Sequence, residues 1–482
     1  MSKSFFRKVA YGLNIDTETP SSPLDWAISQ IQNIAPIVWD SEIPTGKSLL
    51  KKNAGFIYEN RKVLRVKYKN DAQGYREARR KLGFKLGKEY HEILEYAIRH
   101  NTALKNKAPV FERFLSFWAN HFAITDKNEL PNYGTGAMHR EIIRPALTGS
   151  FEDLLYNTTT SWAMIHNLDN SKSVGPDSRK AQRRMERGKT VTINENHARE
   201  LLELHSISPN AEYTQDDVIQ LTYLMTGWRH PHTADRLECN PVIFDWHFHQ
   251  PGSFKILGNI YDDRGGDGES MLRDLIKDLA QHEHCRKYIS YKLCRYFITD
   301  YPTEEMVKPV IMAWENTNGN LISIHEAVLK QAFKYSKNYR KFQNPEDWFL
   351  QVAHLWNLPW PASEQDMQYN FEDRPSSEMR RVKGVLKQLG HLPFRPKQPN
   401  GFSDLEVDWL SPELLLRRIS LLNTIANRRR SHNQPKLKVE KVPELIEKNF
   451  DNHHEVLTLI TQASNVSDKF ISLFASKWML RA

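Results

Sequence analysis

The 482-residue chain is predicted to be mainly α-helical: one large multi-helix domain with a minor strand or hairpin element near residues 241–258. Three observations carry this. Apolar residues recur at helical spacing in segment after segment. A single stretch alternates with period two. Twelve Trp, 22 Phe and 18 Tyr supply the apolar bulk of a real core, while 26% charged residues match an ordinary globular chain.

The elements follow in order. In "SPLDWAISQIQNI" (22–34), Trp26, Ile28, Ile31 and Ile34 share a helical face, with Ser22 as cap and Pro23 in the first turn. Residues 58–103, dense in Lys, Arg and Glu, predict one or two long helices with a solvated face. "FERFLSFWANHFAI" (111–124) is a core helix. Further helices are expected at 138–148, 150–160, 195–206 and 214–227. "PVIFDWHFHQPGSFKILG" (241–258) is the alternating stretch, a strand or hairpin closed by Pro251-Gly252. Helices are then expected near 268–281, 284–299, 303–316, 321–335, 346–357, 379–390 and 411–428, with two more before the C-terminus. Residues 394–410 are rich in Pro and Gly and irregular. The basic run "SRKAQRRMERGK" (178–189) lacks apolar periodicity; it reads as a loop or part-formed helix, solvated as charge runs usually are, or touching an anion. With no fixed-period repeat or low-complexity tract, 1–482 is expected to be one integrated domain with a helical tail at 436–482.

Three cysteines, Cys239, Cys285 and Cys294, form no CxxC pair and no disulfide framework, which fits a reducing compartment. The N-terminus has no apolar core of signal-peptide length, and no run approaches about 18 apolar residues. A soluble, cytoplasmic protein without a membrane span is expected. The net charge of +9 favours anionic partners, although no nucleic-acid motif is present and a basic protein without such a partner is the plainer reading. GxSxG, Walker A, GxGxxG and HExxH motifs are absent.

"NENHARELLELH" (194–205) is the densest polar motif. At 100° per residue, Ala198, Leu201 and Leu202 lie on one side, with His205 near them. Glu195, Asn196, His197, Arg199, Glu200 and Glu203 fill the other. Asn196, Glu200 and Glu203 form an i, i+4, i+7 row. On a solvated face, Arg199 would pair with Glu195 or Glu203, and His205 would be a core histidine bonded to backbone. On a buried face the carboxylates need arginines or a cation, since unpaired buried charge is too costly. The spacing here is His-x-x-Glu and Glu-x-x-Glu, not the Glu-x-x-His of carboxylate-bridged metal helices.

"FERFLSFWANHF", "MHREIIRPALTGSFEDLL", "SWAMIHNLDNSKSVGPDSRK", "NENHARELLELH", "YTQDDVIQLTYLMTGW", "HFHQPGSFKILG", "YISYKLCRYFITD", "QLGHLPFRPKQPNGF" and "WLSPELLLRRIS" occur in this order. From about residue 6 to about 425 the chain resembles the bacterial family named only as domain of unknown function 1800. The resemblance implies a mainly helical protein with no assigned activity. It also implies a plausible partner of the neighbouring domain of unknown function 1501 family, which resembles alkaline phosphatases and sulfatases. The family's recurring polar positions fall on His121, His139, Arg140, Arg144, Asp169, Asn170, Asn194, Glu195, Asn196, Arg199, Glu200, Glu203, His205, Asp217, Trp228 and His249. The basic run at 178–189 resembles one branch of the family. Two positions depart: His-Asp becomes His249-Gln250, and Gly-Trp becomes Gly401-Phe402.

Each candidate has a plain alternative. His247 and His249, two apart on a strand, would share a face as metal ligands do; His249 alone would be a packed histidine. His121 is a ligand or proton carrier, or a core histidine bonded to a carbonyl. His139 with Arg140 and Arg144 would hold a carboxylate or phosphate, or the arginines would neutralise the glutamates of 194–205. Asp169 and Asn170 suggest a turn or cap. Residues 121, 139–144, 194–205 and 249 are expected to converge in one cleft. Two functions then compete, and whether the protein is an enzyme stays open. One is metal-assisted hydrolysis: His121, Glu200, Glu203 and His249 hold a divalent ion, the glutamates take part in catalysis, and Arg140 orients an anionic substrate. The other is a helical binding or scaffold protein acting with a phosphatase-like partner, its polar motif a buried salt-bridge network.

Overall fold

The computed structural model describes residues 3–127, 129–230, 242–262, 268–367, 377–427 and 437–482. Cys239 and the first residue of the 241–258 segment lie outside them. Helices dominate, and the described strands form two antiparallel pairs. No described helix is long and apolar enough to cross a membrane.

Local chemistry sets the helix starts. Ser150, Ser161 and Ser411 each accept a hydrogen bond from the backbone N–H three residues on. Thr214 and Asp217 form a reciprocal capping box. Asn344 accepts from Asp347 N, with Pro345 in the first turn. Ser22 is an exception, since its hydroxyl bonds the Asp25 carboxylate instead of a backbone amide.

Several boundaries differ from expectation. The charged stretch 58–103 follows the helix Gly46–Tyr58 and resolves into a π-helical turn Glu59–Leu64, Arg65–Lys67, Ala72–Lys85 and Lys88–Lys105. Gly87, at φ +64°, makes the last break. The basic run forms the helix Arg179–Met185, capped by Ser178. In the alternating segment, β1 (Trp228–Arg229) pairs with β2 (Ile243–Phe244), and β3 (Ser253–Ile256) pairs with β4 (Asn259–Asp262). The hairpin closes at Leu257-Gly258, both with positive φ, not at Pro251-Gly252. His247 and His249 follow β2 in a turn, where Phe248 N donates to Asp245 O, so they share no strand face. The C-terminal tail holds four helices rather than two: Val442–Asn449, His453–Thr461, Val466–Phe474 and Lys477–Leu480. Asn465, which accepts from Asp468 N, and Ser476, which accepts from Met479 N, start the last two.

Five helices position the site: α1 (Ser4–Val9), α2 (Lys88–Lys105), α3 (Pro109–His121), α4 (Glu283–Phe297) and α5 (Pro345–Leu355). Two apolar clusters flank them. One gathers Phe114, Trp118, Leu154, Leu201, Leu293 and Trp314; the other gathers Tyr96, Trp348, Trp356, Leu386, Leu422 and Phe474. α1 is buried along its whole length, with Phe5 in the first cluster and the following Tyr11 in the second. Lys8 is fully buried, and its ammonium donates to Ile298 O (3.1 Å) and Tyr339 O (2.8 Å).

Charges bridge the seam between the clusters. Arg113 on α3 pairs with Asp347 on α5, both nearly inaccessible. Tyr296 Oη (2.8 Å) and Asn344 Nδ2 (2.7 Å) also donate to Asp347 Oδ2. Removing one partner strands the other. Asp347→Leu is therefore expected to lose about 3–5 kcal/mol in urea unfolding. Adding Arg113→Met to it should recover most of that loss; an Asp347→Leu variant as stable as the parent would contradict this account of the seam.

Candidate functional site

The 194–205 motif is α-helical over Asn196–Glu200 and then π-helical over Leu201–Ser206, where Ile207 N donates to Leu202 O (2.8 Å). The 100° wheel therefore fails beyond Glu200. On the outer face Arg199 lies between Glu195 and Glu203, 3.1 Å from each. Tyr213 Oη donates to Glu203 Oε1 (2.6 Å). Arg199 is 37% exposed, so this is a half-solvated network whose pairs are worth under about 1 kcal/mol each. Burial, with Glu203 nearby, raises the pKa of Glu200 against the opposing pull of Arg199. Asn194 Oδ1 accepts from Asn196 N (3.0 Å) and shapes the entry turn. His205 is buried as expected, while its ring nitrogens bond to nothing among the described residues. His197, placed on the polar arc by the wheel, is also fully buried, because its flanks pack into the first cluster beside Ala198 and Leu201.

The four residues expected to hold a metal go to separate partners. His121 Nε2 donates to His205 O (3.2 Å), and its Nδ1 accepts from Lys292 Nζ (2.9 Å). His249 Nδ1 donates to Thr226 O (2.8 Å) inside an aromatic cage of Phe244, Trp246 and Phe254. Glu203 is held by Arg199 and Tyr213, and Glu200 lies on the half-exposed face with it. Among the described residues no three His, Cys, Asp or Glu side chains lie close enough together to hold an ion. Gln250 has a local role here. Its amide donates to Asp177 Oδ2 (2.8 Å) and accepts from Asp177 N (2.9 Å), where an aspartate would set two carboxylates together.

The arginines also take other partners than the motif's glutamates. Arg140 grips Glu95 (2.7 Å) and Pro44 O (2.9 Å); Arg144 grips Glu112 (2.6 Å) and Ala35 O (2.8 Å). The carboxylates they neutralise come from α2 and α3. Asp169, at φ +58°, turns the chain and pairs with Lys127 (2.5 Å) and Lys172 (2.9 Å). Asn170 Nδ2 donates to Met225 O and Trp228 O, tying that turn to β1.

Of the expected residues, His139 alone lines a buried polar cleft at the seam, with Arg99, Asn120, Tyr296, Glu346 and His391. The cavity is small, about 20 Å³, room for a water or two. Arg99 donates to Glu346 (2.8 and 3.1 Å) and Ser116 Oγ (3.2 Å), and His100 Nε2 donates to Glu346 Oε1 (3.0 Å). Burial opposes the charge of Glu346, but Arg99 and His100 outweigh it and hold the carboxyl below its usual range. Arg99 Nη1, both ring nitrogens of His139 and Nδ1 of His391 have no partner among the described residues. Burial lowers His139 to about 3, with Arg99 adding to the shift, and lowers His391 to about 4. Burial also brings Lys292, one turn from Tyr296, down to about 8, against the raising effect of Asp404. Asp404 also lines the cleft and pairs with Arg295 (2.9 Å), while Lys292 and the buried Arg418 form no ion pair among the described residues.

The segment 391–404 closes the cleft. Asn120 and Phe402 exchange two hydrogen bonds of 2.8 Å, and Arg395 clamps Glu92 (2.6 and 2.7 Å). Gly401 has φ +74°, and a Cβ there would sit 2.5 Å from Asn120 O. Sequence reasoning missed Arg99, Glu346, His391 and Tyr296 as a group. Arg99 sits in a stretch dense in charge, and Glu346 follows Pro345 like any first-turn acid. The motif "QLGHLPFRPKQPNGF" was the one available signal for His391.

A family model described as "Protein of unknown function (DUF1800)" matches residues 25–478. No curated protein and no solved structure matches the chain.

Two outcomes follow from this geometry. Gly401→Ala is expected to cost about 1–3 kcal/mol, read as a lower Tm, because both its φ and its close approach exclude a side chain. The second concerns acid. An unfolded imidazole titrates near ~6.5, whereas His139, His197 and His205 are each lowered to about 3 by burial. The unfolded chain therefore binds more protons between these values, and stability present above pH ~6.5 is lost as pH falls toward 3. Each histidine adds up to about 1.4 kcal/mol per pH unit. Urea midpoints at pH 7, 6 and 5 should fall steadily, and His197→Leu should flatten the slope; a midpoint that does not move over this range contradicts neutral burial.

Proposed function

Because the chain belongs to the DUF1800 family and encloses a polar cleft with hydrogen-bonding groups unmatched among the described residues, we propose that it binds a small anionic ligand there, a carboxylate or phosphate compound. One observation carries this reading: Arg99 Nη1, the two nitrogens of His139 and Nδ1 of His391 line one cleft without a partner among the described residues. Each buried polar group left unpaired costs about 1–3 kcal/mol, which a ligand oxygen recovers. Arg99 supplies the charge-assisted contact, with its planar fork already fixed by Glu346 and Ser116. The neutral imidazoles donate one hydrogen bond each and accept another. The cleft as it stands holds a water or two, so the ligand enters by displacing the 391–404 segment.

Binding is favoured over hydrolysis by the state of the imidazoles. A general base works best with a pKa near the operating pH, and His139 and His391 lie near 3 and 4. A phosphatase- or sulfatase-like partner fits the same reading, since its anionic product has the chemistry of the proposed ligand.

The test is a thermal-shift and calorimetric comparison of inorganic phosphate, sulfate, acetate and citrate. At least one is expected to raise Tm, with its affinity lowered about tenfold, ~1.4 kcal/mol, in His139→Phe and in His391→Phe. No response to any of the four, or affinity in the variants equal to that of the parent, would overturn the proposal.

A further inference from the structure

The charge of this chain is concentrated in one place. Residues 61–85 hold ten Lys and Arg against two acids, net +8, out of +9 for all 482 residues. They form an arm: the end of the π-helical turn Glu59–Leu64, Arg65–Lys67, and the antiparallel return Ala72–Lys85. Tyr75 Oη donates to Asn60 Oδ1 (2.7 Å) between its two limbs, and Arg79 bonds Glu129 (3.2 Å) at its root. Nine of the ten cations are exposed. Apart from Arg79 and Lys81, none has a carboxylate partner among the described residues. Apolar side chains stand among them: Tyr58 is 64%, Val63 39% and Val66 71% exposed. Val63 and Val66, three apart, lie on one side of their limb.

We propose that this arm docks on an anionic lipid surface, making the protein a peripheral, reversible membrane binder. Charge complementarity supplies the attraction: each Lys or Arg near an anionic leaflet strengthens binding roughly fivefold, falling off over a Debye length of about 8 Å. The valines and Tyr58 select the lipid over other polyanions. A bilayer interface accepts apolar side chains beside basic ones, as it does for basic amphipathic helices. A nucleic-acid backbone would leave Val63 and Val66 in water, and the arm carries no nucleic-acid motif.

The full chain is sedimented with phosphatidylcholine vesicles, with or without roughly one-quarter phosphatidylglycerol, and titrated in parallel with mixed-sequence duplex DNA. Binding is expected to the phosphatidylglycerol vesicles alone, weakening steeply as salt rises past ~0.15 M. The combined variant Arg61→Gln, Lys62→Gln, Arg65→Gln, Lys67→Gln should bind roughly a thousandfold more weakly. Val63→Ser with Val66→Ser should weaken vesicle binding while leaving the salt dependence in place. These positions are exposed, and circular dichroism and Tm verify that each variant is folded. Failure to bind phosphatidylglycerol vesicles, undiminished binding by the four-site variant, or tighter binding to the DNA with no effect of the valines overturns the lipid assignment.

Discussion

Two buried ion pairs hold the centre of this chain: Arg113–Asp347 joins the two apolar clusters, and Arg99–Glu346 locks α2 to α5 within the second. A desolvated charge tolerates no slippage, because moving a helix by one turn would leave a guanidinium facing hydrocarbon. α3 and α5 are held in register by the first pair, and α2 and α5 by the second. Glu92, Glu95 and Glu112 extend the same logic along α2 and α3, each matched by an arginine from another segment. Apolar packing supplies the bulk of the stability, but it is non-directional. The charges decide which of many apolar packings is adopted.

The cleft follows from that constraint. Where α2, α3 and α5 are drawn together by ion pairs, and α4 by the Tyr296–Asp347 hydrogen bond, their side chains cannot also close over Arg99, His139 and His391 without abandoning the carboxylates. A small polar space is left, sealed by the segment that Arg395 and Asn120 tie down. Its unmatched groups among the described residues are an arginine donor and neutral imidazoles, the basis on which an anion is proposed for it. The basic arm at 61–85 obeys a different rule. Its charges stay in water with few acids nearby, so their field is available to an external surface.

The helices were legible in the sequence because their causes are local. Apolar residues at helical spacing decide the buried face, whereas the cap named from sequence, Ser22, bonds the Asp25 carboxylate instead. Half of the 194–205 reading also survived: Arg199 pairs with Glu195 and Glu203 on one face, and His205 is buried. The burial of His197 was not legible: it lies in the α-helical part of the motif, and a wheel does not report that its side packs against the first cluster. Nor was the turn holding His247 and His249, because β2 stops after Phe244, having found its short partner β1.

By itself the sequence determined a mainly helical chain, the approximate limits of most helices, one region of strand and an excess of positive charge. These depend on neighbours a few residues apart. Tertiary structure alone decided the partners. Arg99 meets Glu346 across 247 positions and Arg395 meets Glu92 across 303. No periodicity reports such pairings, because each arginine has many acids of equal chemistry to choose from. Which one it takes is settled by burial, when two apolar clusters close and the charges between them find partners or remain exposed.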